Sequence, residues 1–275
     1  MSMTSATLPL EGRVAIVTGA NHGIGAATAR RLAALGADVL ITYLRNTNPA
    51  SGDVPPEYTT QRAADAGAVV AAVESLGRRA VATEADLSDP GTISELFDTA
   101  ESSLGPVDIV VNNASGWIGD TFRVSDKDDL DRDVAPITAD TFDRVMAVDG
   151  RASALMIGEF ARRLAGRGGA WGRIVGLTSG GSSGFPGEVT YGAAKAAQVN
   201  YTMSAATELA ELGVTANIVH PPVTDTGWVN DGVREFVARS QELTHVATPD
   251  EVAVVIGWLC TDEARLVSGT VLHLR

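Results

Sequence analysis

The chain has 275 residues, of which 45% are hydrophobic and 20% are charged, a composition typical of globular rather than disordered proteins. Its formal net charge of −13 argues against a nucleic-acid partner, because binding to a phosphate backbone requires clustered Lys and Arg. No apolar run reaches the roughly 18 to 20 residues of a membrane span, and residues 1–9 lack the pattern of a secretory signal. We therefore expect a cytoplasmic protein with no membrane partner.

Short runs rich in β-branched residues alternate with longer amphipathic stretches along the chain. The predicted strands span residues 14–18, 38–43, 80–83, 107–112, 173–178, 214–220 and 269–274. The predicted helices span residues 24–35, 61–76, 93–104, 139–164, 191–212 and 249–260. Several strands are continuous apolar runs, as in a parallel sheet covered by helices on both faces. The pattern predicts an α/β fold, a Rossmann-like doubly wound parallel sheet of about seven strands, in one domain over 1–275.

A glycine-rich turn joins the first predicted strand to the first predicted helix. Gly19, Gly23 and Gly25 follow a Gly-x-x-x-Gly-x-Gly spacing, with Asn21 and His22 between them. Glycines at such a turn let a pyrophosphate approach the backbone closely, and the free amides and positive end of the helix then receive the anion. The turn predicts a dinucleotide-binding site.

The tip of the second strand indicates which dinucleotide is bound. A carboxylate there binds the ribose 2′-hydroxyl of NAD, whereas a nearby Arg accepts the 2′-phosphate of NADP. The strand ends without an acid at its tip, and Arg45 follows it. We predict that Arg45 binds the phosphate, with His22 or Asn46 as helpers, although a solvated surface cation is the alternative for Arg45. NADP(H) is the preferred cofactor and NAD(H) stays possible; Arg45→Asp should weaken NADP(H) much more than NAD(H).

Two long loops interrupt the pattern, each after a predicted strand. Residues 46–59 contain three prolines and follow the second strand, and residues 116–136 are rich in acids and follow the fourth. Loops at the carboxyl ends of such strands commonly bind ligands, but a solvated excursion without a role would look the same.

Tyr191 and Lys195 lie four residues apart in a predicted helix and therefore share one of its faces. A free phenol, with a pKa of about 10, is a poor base at neutral pH, and a fixed cation nearby favours the phenolate. The pair is a candidate proton donor and acceptor for a carbonyl/alcohol couple. On its own, this spacing also occurs by chance on surface helices.

Taken in order, these motifs resemble the short-chain dehydrogenase/reductase family, in particular its single-domain members of the 3-oxoacyl-(acyl carrier protein) reductase type, over about residues 12–270. The motifs are the glycine turn, Asp86-Leu87, Asn112-Asn113-Ala114, Ser179, the Tyr191/Lys195 pair and the segment 217–228. Together with the residue-level reasoning, the resemblance implies that the cofactor contacts Gly19, Asn21, His22, Gly23, Ile24, Gly25, Arg45, Asp86, Leu87, Asn113, Ala114, Tyr191, Lys195 and Thr226. No metal is expected.

The resemblance also implies catalytic roles. Tyr191 would be the general acid in reduction, Lys195 would bind the nicotinamide ribose and lower the pKa of Tyr191, and Ser179 would hydrogen-bond the substrate oxygen. Thr178 and Ser182 are the alternatives to Ser179, which we prefer because it directly follows an apolar strand.

The chain departs from the family pattern at several positions. Asp149 stands where an Asn usually supports a water relay to the lysine, and it is our fourth catalytic candidate, keeping a modified relay; a helix-surface Asp is the alternative. Ser115 and Pro222 each stand where a Gly is usual, and the chain end lacks the usual Asp-Gly-Gly.

We predict an NADP(H)-dependent reductase of a small-molecule ketone, either a 3-oxoacyl thioester or another apolar carbonyl. A ketoreductase for cyclic ketones of secondary metabolism and a redox sensor that binds NADP(H) without turnover are the alternatives. Four aromatic residues would border the cleft, or else pack within loops: Trp117, Phe122, Phe185 and Trp228. The resemblance implies a homodimer or homotetramer built on the helices predicted at 139–164 and 191–212.

Overall fold

The computed structural model describes residues 7–46, 55–128, 132–180 and 184–275. Its strands are β1 Val14–Thr18, β2 Asp38–Tyr43, β3 Ala80–Glu84, β4 Ile109–Asn112, β5 Asp120–Thr121, β6 Ala135–Pro136, β7 Gly172–Leu177, β8 Val214–His220 and β9 Val271–His273. Seven of them form one parallel sheet in the order β3-β2-β1-β4-β7-β8-β9, and β5 pairs with β6 separately. The order reverses direction beside β1, which places the carboxyl ends of β1 and β4 at a switch point where ligands bind.

The α-helices of the described residues flank this sheet. They are α1 Gly23–Ala34, α2 Pro56–Ala63, α3 Gly67–Ser75, α4 Gly91–Ser103, α5 Ala139–Val145, α6 Ser153–Gly166, α7 Val189–Glu208, α8 Asp231–Arg239 and α9 Pro249–Leu259. A π-helical turn, Met146–Ala152, joins α5 to α6, and the 3₁₀ turns Ala210–Leu212 and Asp262–Ala264 follow α7 and α9. None of these helices is long and apolar enough to cross a bilayer.

Successive side chains along each strand point to opposite faces of the sheet, and this divides the core into two layers. Ala15 and Val17 of β1 pack with α1, α3 and α9 on one face of the sheet. Val14 and Ile16 pack with α4, α6 and α7 on the other face. Because successive strand side chains point to opposite faces, a strand that is apolar at every position must be covered twice. The predicted doubly wound sheet is confirmed.

Two predicted elements were wrong in detail. The helix predicted at 61–76 is two helices, because Ala64 adopts an extended conformation and Oδ1 of Asp65 accepts a hydrogen bond from the amide of Gly67, which restarts the chain as α3. The loop predicted at 46–59 becomes helical from Pro56 onwards, and residues 47–54 lie outside the described residues. Helix α8 was not predicted at all.

The long helix predicted at 139–164 contains the π-helical turn. A π turn adds a residue to a helical turn and thereby changes which side chains face the core, and such turns are frequent at functional sites. Asp149 lies in this turn and is completely buried. The alternative interpretation of Asp149 as a helix-surface residue is therefore wrong.

Candidate active site

The glycine turn after β1 has a backbone that only glycine adopts readily. Gly19 and Gly23 have φ angles of +63° and +56°, in the left-handed region that disfavours side chains. At Gly25 a Cβ atom would overlap the carbonyl oxygen of Gly19 and the side-chain amide of Asn113. The two ends of the turn therefore pack closely against each other. Because the glycines have no side chains, a ligand can approach the backbone of the turn directly.

The first turn of α1 offers an uncompensated site for an anion. His22 precedes the helix without capping it through its side chain, and the first turn contains no acidic residue. Such helix starts expose free amides and the positive end of the helix dipole. Thr226 approaches the turn from the segment after β8, since a Cβ on Gly23 would lie 3.0 Å from its Cγ2. These features fit a dinucleotide pyrophosphate between the glycine turn and Thr226.

The tip of β4 is fastened to the same turn. Nδ2 of Asn113 donates to the carbonyl oxygens of Thr18 and Gly19 at 2.8 and 3.0 Å, and the amide of Ala114 donates to Oγ1 of Thr18 at 3.0 Å. Asn113 therefore shapes the turn through its side chain. This placement brings Asn113 and Ala114 beside the glycine turn, where the family resemblance expects them.

The adenosine end is bordered by the tips of β2 and β3. Oδ1 of Asp86 accepts a hydrogen bond from the amide of Ser88 at 2.8 Å, and Leu87 is buried in the core beneath it. Arg45 lies at the tip of β2 as predicted, but Glu84 at the end of β3 accepts hydrogen bonds from its Nε at 2.9 Å and its Nη2 at 2.6 Å. The sequence offered no sign of this pairing, because the two residues are brought together only by the β2–β3 register.

Ser179, Tyr191 and Lys195 come together at the carboxyl edge of the sheet. Tyr191 lies in the first turn of α7, with the Ser179 side chain beside its phenol. Nζ of Lys195, one turn further along, lies 5.5 Å from the centre of the Tyr191 ring. The alternative Thr178 is buried at the strand end, and Ser182 lies outside the described residues.

Lys195 is enclosed by polar groups that come from three elements. Its Nζ lies 3.0 Å from Oδ1 of Asp149 and donates to Oε1 of Gln198 at 3.1 Å. The other carboxylate oxygen of Asp149 accepts hydrogen bonds from the Gly116 amide at 2.8 Å and the Ser115 hydroxyl at 3.3 Å. Gln198 in turn donates to the carbonyl oxygen of Asn112 at 3.1 Å. A lysine so buried keeps its charge only with such partners.

The charges around Tyr191 oppose one another. Burial raises the pKa of Tyr191 above its ordinary value; Lys195 lowers the pKa, while Asp149 and Glu188 raise it. Lys195 therefore lowers the pKa of Tyr191 as expected, but burial and the two carboxylates outweigh it, and the pKa lies above its ordinary value. Burial alone would lower the pKa of Lys195, but Asp149 raises it above its ordinary value.

The acid-rich loop 116–136 is fastened to the start of α7. Oδ1 of the fully buried Asp120 accepts a hydrogen bond from the Thr190 amide at 2.9 Å. Glu188 accepts hydrogen bonds from Nε1 of Trp117 at 2.8 Å and from Nη1 of Arg132 at 2.9 Å. The described residues of the loop therefore form a wall of the site, positioned by contacts with Glu188 and Thr190, just before Tyr191.

The four aromatic residues proposed to border the cleft differ in placement. Phe185 packs against Tyr191 with ring centres 6.0 Å apart, whereas Phe122 is 81% exposed. Nε1 of Trp228 donates to the carbonyl oxygen of Thr224 at 2.9 Å.

Three residues of the site escaped prediction. Gln198 could have been found, because it lies three residues after Lys195 on the same helical face. Glu188 had no distinguishing signal. His220, at the end of β8, contacts the carbonyl oxygen of Gly180 at 2.8 Å through Nε2 and thus supports the residue after Ser179.

A pyrophosphate cradle beside a Ser/Tyr/Lys set defines a nicotinamide-dependent oxidoreductase that acts on CH–OH and C=O groups. The family model described as enoyl-(acyl carrier protein) reductase matches residues 57–274, and the short chain dehydrogenase model matches residues 13–52. The chain therefore belongs to the short-chain dehydrogenase/reductase family, as its motifs predicted.

Similar proteins cover nearly the whole chain. The cis-4-hydroxycyclohexanecarboxylate dehydrogenase of Sinomonas cyclohexanicum is 36% identical over 265 residues, which are 94% of each protein. A 3-oxoacyl-(acyl-carrier-protein) reductase of Synechocystis is 32% identical over 256 residues, or 93% of this chain and 92% of that protein. The crystal structure of a Burkholderia cenocepacia short chain dehydrogenase in complex with NADP is 35% identical, with a TM-score of 0.77 and 97% of both chains covered.

Proposed function

We propose that the protein is an NADP(H)-dependent carbonyl reductase in which Tyr191 is the general acid and base. The observation that carries the proposal is the approach of the buried Lys195 to Tyr191, with Ser179 beside them, at the same sheet edge as the glycine cradle. The similarity to an NADP-bound short chain dehydrogenase supports the choice of cofactor. One domain, 1–275, would carry both the cofactor and the substrate sites.

The residues of the site divide the chemistry among themselves. When bound, the nicotinamide would supply the hydride that reaches the carbonyl carbon. Ser179 would donate a hydrogen bond to the carbonyl oxygen and stabilise the charge that develops there. Tyr191 would give its phenol proton to that oxygen, and Lys195 would stabilise the phenolate that remains. Asp149 and Gln198 would hold the lysine charged and in place.

For the substrate, we favour a small apolar or cyclic ketone over a carrier-bound 3-oxoacyl thioester. Phe185 packs against Tyr191 and offers an apolar surface beside the reacting group. The similarity to a dehydrogenase of a hydroxylated cyclohexane ring is consistent with this choice.

The test is NADPH oxidation by the purified full-length protein with a panel of cyclic ketones, aldehydes and 3-oxoacyl esters. Turnover that Tyr191→Phe abolishes, while NADPH still binds, would support the proposal. Tight NADPH binding without turnover of any panel member would instead support a redox sensor, whose activity has lapsed. Turnover of only the acyl esters would reverse our order of substrates.

Homo-oligomer formation and a cytoplasmic location remain parts of this proposal. The faces of α6 and α7 that would form the interface surround a shallow groove of about 250 Å³, lined by small residues and by Tyr201, which is 38% exposed. Close helix approach favours such small residues. The molar mass in solution, measured by light scattering, tests the expected dimer or tetramer.

A further inference from the structure

The cation predicted to bind the 2′-phosphate already has an anionic partner. Glu84 accepts hydrogen bonds from Nε and Nη2 of Arg45, and its Oε1 also accepts one from the Arg45 backbone amide at 3.2 Å. A two-point contact of this kind is the preferred geometry between a guanidinium and a carboxylate. A phosphate that approached Arg45 would have to compete with Glu84 and would be repelled by it.

Arg62, in the last turn of α2, is a second cation at this end of the site. It is half-buried, and its Cζ lies 5.4 Å from the centre of the Tyr58 ring. No carboxylate of the described residues forms an ion pair with it. The nearby Asp65 is engaged by the Gly67 amide at the start of α3. Stacking on an aromatic ring orients a guanidinium without using its hydrogen-bond donors.

The backbone around Arg62 joins the two places between which the adenosine ribose should lie. Nδ2 of Asn21, in the glycine turn, donates to the carbonyl oxygen of Ala64 at 2.9 Å. The amide of Asn46, one residue past Arg45, donates to the carbonyl oxygen of Arg62 at 2.9 Å. In dinucleotide folds the ribose 2′-position faces the tip of the second strand, beside the glycine turn. Arg62 therefore borders that position.

The ring stack leads from Arg62 to the glycine turn itself. Tyr58 meets the ring of His22 edge-on, with centres 6.4 Å apart. Burial lowers the pKa of His22, and the charge of Arg62 lowers it further. His22 is therefore mainly neutral near neutral pH, which leaves an arginine as the stronger partner for a phosphate dianion here.

We propose that Arg62, a residue of the inserted α2 segment, is the principal ligand of the 2′-phosphate of NADP(H), while Glu84 restrains Arg45. This inference rests on the proposed use of NADP(H). It adds to the site a residue that lies 19 positions after the end of β2 and outside the family motifs.

The test measures binding without any substrate. Dissociation constants of NADPH and NADH are determined from the fluorescence of the reduced nicotinamide, using full-length wild type, Arg62→Gln, Arg62→Lys, Arg45→Gln and Glu84→Gln. Losing one charge-assisted contact should weaken NADPH binding about 10- to 100-fold in Arg62→Gln and change NADH binding less than about twofold. Arg62→Lys should keep part of the preference for NADPH over NADH. Arg45→Gln should lose less NADPH affinity than Arg62→Gln. Glu84→Gln should tighten NADPH binding.

Competition by 2′,5′-ADP and 5′-AMP isolates the phosphate itself. Arg62→Gln should weaken the binding of 2′,5′-ADP and leave the binding of 5′-AMP unchanged. An unaltered melting temperature is the control for folding. The inference is overturned if Arg45→Gln loses as much NADPH affinity as Arg62→Gln, or if Arg62→Gln weakens both nucleotides equally. Wild-type protein that binds neither NADPH nor NADH would contradict the proposed function itself. NADPH binding that is unchanged in Arg62→Gln would contradict only this inference.

Discussion

Oδ1 of Asp149 lies 3.0 Å from Nζ of Lys195, and neither side chain is more than 3% exposed to solvent. The family resemblance expects a neutral Asn at position 149, which supports the lysine without opposing its charge. An Asp brings a negative charge into direct contact with that cation, so that the two charges compensate each other inside the core. The lysine that should stabilise a Tyr191 phenolate is therefore partly neutralised before any substrate arrives.

The first prediction concerns the pH profile of Asp149→Asn. Asp149 is one of the groups that raise the pKa of Tyr191, whereas Lys195 lowers it. Removing the carboxylate leaves the lysine unopposed, so the pKa of Tyr191 should fall. The alkaline limb of the reduction profile, where the proton donor is lost, should move to lower pH, and the acidic limb of the oxidation profile should move in the same direction.

Rates at a series of pH values in both directions check this expectation, with Asp98→Asn on the exposed surface of α4 as the matched control. If Asp149→Asn leaves the rate and both limbs unchanged, Asp149 takes no part in proton transfer.

The second prediction concerns stability. Asp149→Ala leaves Lys195 as a buried cation whose only remaining side-chain hydrogen-bond partner among the described residues is Gln198. Removing one member of a buried ion pair typically costs about 3–5 kcal/mol in the free energy of unfolding. Because Asp149→Ala combined with Lys195→Met removes both charges, the double variant should regain part of that loss. Urea unfolding of the four proteins measures the coupling, and additive losses would show that the two charges do not interact.

The third prediction separates chemistry from cofactor binding at Ser179. Removing a hydroxyl that stabilises developing charge on oxygen typically lowers kcat about 10²- to 10³-fold. Ser179→Ala should show such a loss while its dissociation constant for NADPH stays unchanged. Ser75→Ala, at the exposed end of α3, serves as the control for a serine remote from the site. A normal kcat in Ser179→Ala would shift the role to one of the neighbouring hydroxyls.

The fourth prediction concerns the acid stability of α6. The carboxylate of Glu159 accepts hydrogen bonds from Nε of Arg162 at 2.8 Å and Nε of Arg163 at 2.6 Å, and these arginines lower its pKa from 4.5 to about 2. The pKa of Glu159 in the folded protein lies below its ordinary value. The ionised carboxylate therefore contributes its full share to the free energy of unfolding above pH 4.5, and this contribution is lost as the pH falls towards 2.

Glu159→Gln should therefore be less stable than wild type at neutral pH, and the difference should shrink across this acid range. Urea midpoints at several pH values measure it, with Glu95→Gln on the exposed face of α4 as the control. A difference that stays constant at every pH would mean that the carboxylate charge is not involved.

Local patterns predicted the parts of the site that lie within single segments. The glycine turn, the Tyr191/Lys195 spacing and the apolar runs of the strands each depend on neighbours within a few residues, and the doubly wound sheet formed as expected. The break at Ala64 was missed, because Ala is a strong helix former and only the Asp65–Gly67 hydrogen bond shows where the second helix begins. The π turn around Asp149 was missed for a similar reason, since no residue of the segment marks it.

By itself, the sequence determined the fold class and the family and predicted the proton-transfer pair, because periodicity and motif spacing are local properties of the chain. Only the tertiary structure decided which charges meet. Glu84 lies 39 residues from Arg45, and Asp149 lies 46 residues from Lys195, yet each pair is in contact. Electrostatic energies depend on separation in space and on burial, neither of which spacing along the chain reveals. The charge balance that surrounds Tyr191 and the adenosine end is therefore a property of the folded chain.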